Sequence, residues 1–133
     1  SDDRIMFFGG AQKPLSIAEK LLDEEVRGVY YGSEYVGLVF NSMESGSRYR
    51  LDVYNKSGDF VCSITYDIEC RDILFHGDQI IIYNESDCQI YNSRGMEKYA
   101  GKFNKTALML IPQSASYTYM VVTPESIDTI ELR

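Results

Sequence analysis

The chain of 133 residues sets 13 Lys and Arg against 20 Asp and Glu, a net charge of −7, and 44% of its residues are hydrophobic. Length fits a single domain, and the apolar content is enough for a core, which excludes a disordered chain. An acidic balance with no concentration of Lys or Arg excludes nucleic acid as a partner and fits solubility, a cationic partner or a divalent ion.

Residues 1–25 open the chain with "SDDRIMFF", which has neither an initiator Met nor a signal peptide, so the chain reads as a piece of something longer. No apolar run approaches the roughly 18 residues that span a bilayer, so no membrane contact is expected within this segment. "RIMFF" and "LSIAEKLL" fit two strands of the repeat described next. The second segment also carries a capping-box pattern, Ser16 with Glu19, and sets Ile17, Leu21 and Leu22 on one helical face. A short helix near residues 16–25 therefore stays open beside the strand that the repeat favours.

From residue 26 the chain repeats itself. "RGVYYGSEYVGLVFN" (Arg27 to Asn41) matches "RDILFHGDQIIIYN" (Arg71 to Asn84), each an apolar run, a turn and a second apolar run. "YNKSGDFV" after the first is answered by "YNSRGMEK" after the second, with Gly58 in the place of Gly95. Each unit thus predicts four strands, with Asn and Gly at the turns that need positive φ. A third unit supplies three strands, Ala107 to Ile111, Tyr117 to Thr123 and Ile127 to Leu132. Asn41, Asn84 and Thr123 read as equivalent strand ends, and the longer first spacing falls in the polar loop "NSMESGSR".

Eleven Tyr without any Trp support β-structure. A four-stranded unit recurring near 40 residues is the signature of a β-propeller blade. The expected fold is all-β, with antiparallel four-stranded blades in an incomplete propeller-like array of about three blades. The whole of 1–133 forms one repeat region: a partial blade 1–25, blades 26–67 and 68–105, and a partial blade 106–133. Open edges in such an array call for self-association or for missing upstream blades.

The segments "EVRGVYYGSEYVGLVF", "LDVYNKSGDFV", "DQIIIYNESDCQIYNSRGMEKYAGKF" and "YTYMVVTPESIDTIELR" resemble an uncharacterised bacterial family, a domain of unknown function. Its members are predicted membrane-anchored proteins of Gram-positive anaerobes, with one N-terminal transmembrane helix and a propeller-like extracytoplasmic domain. The resemblance covers most of the chain after Glu25 and implies a cell-surface location, tethered through a helix upstream of this chain. It transfers no catalytic residue.

Candidate chemistry is sparse. His76, the one histidine, lies in the turn "FHGDQ" and reads as a turn residue, and no G-x-S-x-G motif supports a triad. "NKSGD" lacks the alternating acids of a calcium loop. "NKS", "NES" and "NKT" have the form of glycan acceptors but sit where turns need Asn. Cys62, Cys70 and Cys88 match no metal spacing and read as buried thiols, although Cys62 and Cys70 flank a short connection that a bridge could span. No metal site or cofactor is predicted. Tyr54, Tyr83 and Tyr91 recur at equivalent positions and are assigned to packing between blades.

Sorting loops by face gathers Glu44, Asp67, Glu69, Glu85, Asp87 and Glu125 on one side of the array, a negative surface for a cationic group. The expected function is non-catalytic recognition or scaffolding of a protein, peptide or cell-wall ligand. The alternative is an enzyme of hydrolase or lyase type with an acidic centre in a propeller channel.

Overall fold

The structure, a computed structural model, describes residues 24–133. The strands expected in "RIMFF" and "LSIAEKLL", and residues 16–23 of the alternative helix, lie outside the described residues. Glu24 and Glu25, the last two positions of that helix, are not helical. Every regular element among the described residues is a β-strand, and all pairing is antiparallel.

The chain divides into two compact units, Ser1–Asp67 and Ile68–Arg133. The first holds a four-stranded meander of β1 (Gly28–Tyr31), β2 (Tyr35–Asn41), β3 (Tyr49–Asn55) and β4 (Phe60–Tyr66). The second holds another, of β5 (Asp72–His76), β6 (Gln79–Tyr83), β7 (Asp87–Asn92) and β8 (Glu97–Lys102). It also holds a three-stranded sheet of β9 (Met109–Pro112), β10 (Thr118–Val122) and β11 (Ile127–Glu131).

Burial explains the composition of the strands. Within "YVGLVFN" and "QIIIY" consecutive apolar residues are buried, because β2 and β6 are central strands covered on both faces. The edge strand β8, "EKYAGK", alternates half-buried Tyr99 and Gly101 with exposed neighbours.

The two echoed turns are the same device. Asn55 Oδ1 accepts from the amides of Ser57 (2.9 Å) and Asp59 (3.0 Å), and Asn92 Oδ1 from those of Arg94 (2.9 Å) and Met96 (3.0 Å). Gly58 and Gly95 follow at φ 86° and 79°, which an L side chain adopts only with strain, and the pairing shifts register beside each turn.

The strand register corrects two equivalences, those of Tyr83 and Asn41: Tyr54 and Tyr91 hold matching places in β3 and β7, but Tyr83 lies in β6. Val39 pairs Gly28 as Tyr83 pairs Asp72 and Val122 pairs Met109, so Val39, Tyr83 and Val122 are the matching positions. Asn41 lies further out, because the β2–β3 hairpin adds the pairs Phe40–Arg50 and Asn41–Tyr49 before its loop begins. Asn84 and Thr123 do correspond, and both cap a loop: Asn84 Oδ1 accepts from Ser86 and Asp87, and Thr123 Oγ1 from Glu125 and Ser126.

In the second unit the two sheets pack face to face. Ile81, Tyr83, Cys88 and Ile90 of one sheet share a core with Leu110, Tyr119, Val121 and Leu132 of the other region. The Tyr83 hydroxyl accepts from the Leu110 amide at 3.3 Å, and the Tyr119 hydroxyl donates to Gln79 Oε1. Each polar tip is thus satisfied while its ring is buried. Tyr83 therefore packs between sheets, and Tyr54 and Tyr91 are buried in their own units. In the first unit Val36, Leu38, Phe40 and Tyr54 form a cluster with Val26 beside it.

Candidate binding site

The third sheet differs from the others at one edge. β4 pairs along β3 and β8 along β7, but no strand among the described residues pairs along the far side of β11. A cleft of about 530 Å³ lies there. One wall is Tyr99 of β8 with Phe103 and Lys105 after it; the other is Asp128, Ile130 and Leu132. Phe103 is anchored by the hydrogen bond its amide donates to the Ser86 carbonyl (2.8 Å) and by an edge-on contact with Tyr83, ring centroids 6.5 Å apart. Tyr99 folds over Gly101, where any Cβ would meet its hydroxyl. Lys105 Nζ donates to Asp128 Oδ2 (3.3 Å), and Ser126 Oγ donates to the same oxygen (3.2 Å).

The backbone of β11 faces two ways. The Leu132 amide donates to the Tyr117 carbonyl (2.9 Å) and the Thr123 amide to the Ser126 carbonyl (2.8 Å), so residues 126, 128, 130 and 132 are the ones bonded to β10. In an antiparallel ladder the alternate residues point the other way, so Ile127, Thr129 and Glu131 direct their N–H and C=O groups to the open edge.

The six predicted acidic residues are distributed between the units. In the first, Glu44 is exposed on the β2–β3 loop and Asp67 is exposed, its carboxylate 3.3 Å from Arg48 Nε. In the second, Glu69 precedes β5, Glu85 lies on the β6–β7 loop and Asp87 begins β7. Asn84 Nδ2 donates to the Glu69 carbonyl (3.1 Å), Arg71 meets Glu85 at 2.9 Å, and Lys102 meets Asp87 at 2.7 Å. Glu125 is exposed on the β10–β11 loop. Asp67, Glu85 and Asp87 thus carry cationic partners, which weakens the expected negative field. Among the described residues no group of three His, Cys, Asp or Glu side chains could hold a metal ion.

The other candidates are structural in their surroundings. His76 ends β5, and its Nε2 lies 3.1 Å from the Gln113 carbonyl. All three cysteines are thiols, so Cys62 and Cys70 are not bridged to each other. Burial pushes the Cys88 thiol up to about 12, and burial likewise raises Tyr54, Tyr91 and Tyr119 to about 12. Each of these four stays protonated at neutral pH and makes a poor nucleophile there.

Sequence reasoning passed over a charged network inside the first sheet. Asp52 is 1% exposed and lies opposite Leu38 on β2 and Ser63 on β4. Its carboxylate accepts from Arg50 Nε (3.0 Å) and Nη2 (3.3 Å) and from Ser63 Oγ (2.8 Å), and Arg50 Nη2 also reaches Glu24 Oε2 at 2.9 Å. Burial alone would lower the Arg50 pKa, but its bonds and charge interactions with Glu24 and Asp52 outweigh that and raise it. The alternation "RLDV", two charges on one face of an apolar strand, was the available signal.

The comparison with known families matches residues 1–132 to the family of unknown function DUF5711. The chain belongs to that family. The comparison with curated proteins finds no match.

Proposed function

We propose that this DUF5711 chain is a non-catalytic recognition or scaffold module whose three sheets are successive blades of a propeller-like array. The observation that carries recognition is the cleft beside β11, a shaped concavity of about 530 Å³ in which Tyr99, Phe103, Ile130 and Leu132 alternate with the charged Lys102, Lys105, Asp128 and Glu131. Support for stacked blades comes from register. The outer face of the third sheet carries Met109, Ile111, Met120, Val122 and Ile127. These positions match Asp72, Leu74, Ile81, Tyr83 and Cys88 in the preceding sheet, which lie on the face packed against the third sheet. Met109, Ile111 and Ile127 are exposed, as expected of a face that receives a further sheet or a second copy.

An extracytoplasmic module tethered by an upstream membrane anchor is the setting we propose, with a protein, peptide or cell-wall fragment as ligand. The test is to pan the chain against a displayed random-peptide library and against soluble muropeptides, following each hit by calorimetry and mass spectrometry. Saturable binding with the ligand recovered intact is expected; chemical conversion of a bound ligand, or no binding by any probe, overturns the reading. Replacing Glu44, Asp67, Glu69, Glu85, Asp87 and Glu125 together by Ala shows whether the acidic loops take part, with weaker binding of cationic hits expected.

A further inference from the structure

We infer that the cleft beside β11 is a slot for one added β-strand, filled by an extended segment of a partner polypeptide that pairs antiparallel with β11. This inference rests on the recognition reading and names the class of ligand. The repeat itself identifies the occupant. Register places Ile127 and Thr129 of β11 where Cys88 and Ile90 stand in β7 and where Leu51 and Val53 stand in β3. Those residues pair Gly101 and Tyr99 of β8, and Ile64 and Cys62 of β4. The same place in the two other sheets is therefore taken by a single antiparallel strand of six or seven residues.

The slot has a floor and an edge. Tyr99 of β8 and Phe103 after it line it from below, Asp128, Ile130, Glu131 and Leu132 line its side, and the ladder turns the backbone groups of Ile127, Thr129 and Glu131 to the open edge. A lone extended segment fits, and main-chain hydrogen bonds would hold it irrespective of most side chains.

The side chains on its inner face are specified by Asp128. That residue holds the position that Asp52 holds in the first sheet, where the carboxylate accepts from Ser63 Oγ of the adjoining strand at 2.8 Å. The matching partner segment thus places Ser or Thr opposite Asp128, with β-branched residues around it as in "FVCSITY".

The test uses the chain as it stands and a fluorescent peptide of the β4 sequence, Phe60 to Tyr66, with Cys62→Ala to prevent oxidation, titrated by anisotropy. In β4 the Ile64 amide faces β3 and the Ser63 amide faces away. Backbone N-methylation at the Ile64 position of the peptide is therefore expected to weaken binding at least about tenfold, the loss of one buried hydrogen bond plus a clash, whereas methylation at the Ser63 position leaves it within about twofold. Replacing the serine of the peptide by Val, or Asp128→Asn in the protein, is expected to weaken binding by about three- to tenfold. The inference is overturned if the parent peptide does not bind saturably, as when the slot is already filled, or if the two N-methyl peptides bind alike. Should the peptide fail while the library of the preceding section still yields ligands, strand addition falls and recognition stands.

Discussion

Removing Arg50 should expose how the first sheet tolerates a charge in its interior. Asp52 is 1% exposed, and Arg50 reaches it at 3.0 and 3.3 Å, while its guanidinium carbon lies 4.7 Å from the centre of the Phe40 ring. Arg50→Ala deletes the cation and the stacked group but leaves the carboxylate between strands, so the expected loss is about 3–5 kcal/mol. Against the 5–15 kcal/mol typical of a domain, that is a large part of the whole. The double variant Arg50→Met with Asp52→Leu removes both charges and is expected to lose much less than the single one, since an apolar pair also removes the desolvation cost. Arg48→Ala breaks an exposed pair with Asp67, both side chains more than half exposed, and should cost no more than about 1 kcal/mol. Urea unfolding followed by far-ultraviolet dichroism measures all three. An Arg50→Ala loss no larger than that of Arg48→Ala would refute the reasoning, because the network would then be solvated.

Two further outcomes follow from the same geometry. Tyr54, Tyr91 and Tyr119 are raised from 10 to about 12 and Cys88 from 9 to about 12, all mainly by burial, so the folded chain keeps protons that the unfolded chain loses. Their contribution is full below pH 9 and is lost as pH rises toward 12, on the order of 1 kcal/mol per pH unit for each group. Phenolate absorbance should therefore rise in two stages, the second coincident with loss of dichroism; a single early stage complete before unfolding would contradict the burial. Gly58→Ala and Gly95→Ala force Ala to φ 86° and 79° in matching turns and should each cost about 1–2 kcal/mol by urea unfolding. A negligible loss at either position would show that the turns are not equivalent.

Much of the fold was legible because its cues are local. Asn55 with Gly58 and Asn92 with Gly95 build their turns from residues within five positions, so the repeated letters announce the repeated conformation. The equivalence of Asn41 failed for the opposite reason. "NSMESGSR" reads as a polar loop that follows the strand end at Asn41, yet cross-strand pairing of Phe40 with Arg50 and Asn41 with Tyr49 carries the ladder beyond the place matching Tyr83, with the Arg50 charge held by Glu24 and Asp52. The acidic loop residues were visible, but their partners were not: Arg48 meets Asp67 across 19 residues, and Lys102 meets Asp87 across 15. The cleft was half legible. A third unit of three strands implied an open edge, but only the fold brings Tyr99 and Phe103 beneath it.

The claim that β11 offers an unfilled place for a strand is tested most directly by amide hydrogen exchange resolved at single residues. The account predicts that the amides of Ile127, Thr129 and Glu131 exchange rapidly in the chain alone, while those of Asp128 and Ile130, bonded to β10, are protected. Adding the β4-sequence peptide at saturation should slow Ile127 and Thr129 at least about tenfold and leave the second set little changed. Equal protection of both sets before any peptide is added, or no change in the first set on saturation, would contradict it.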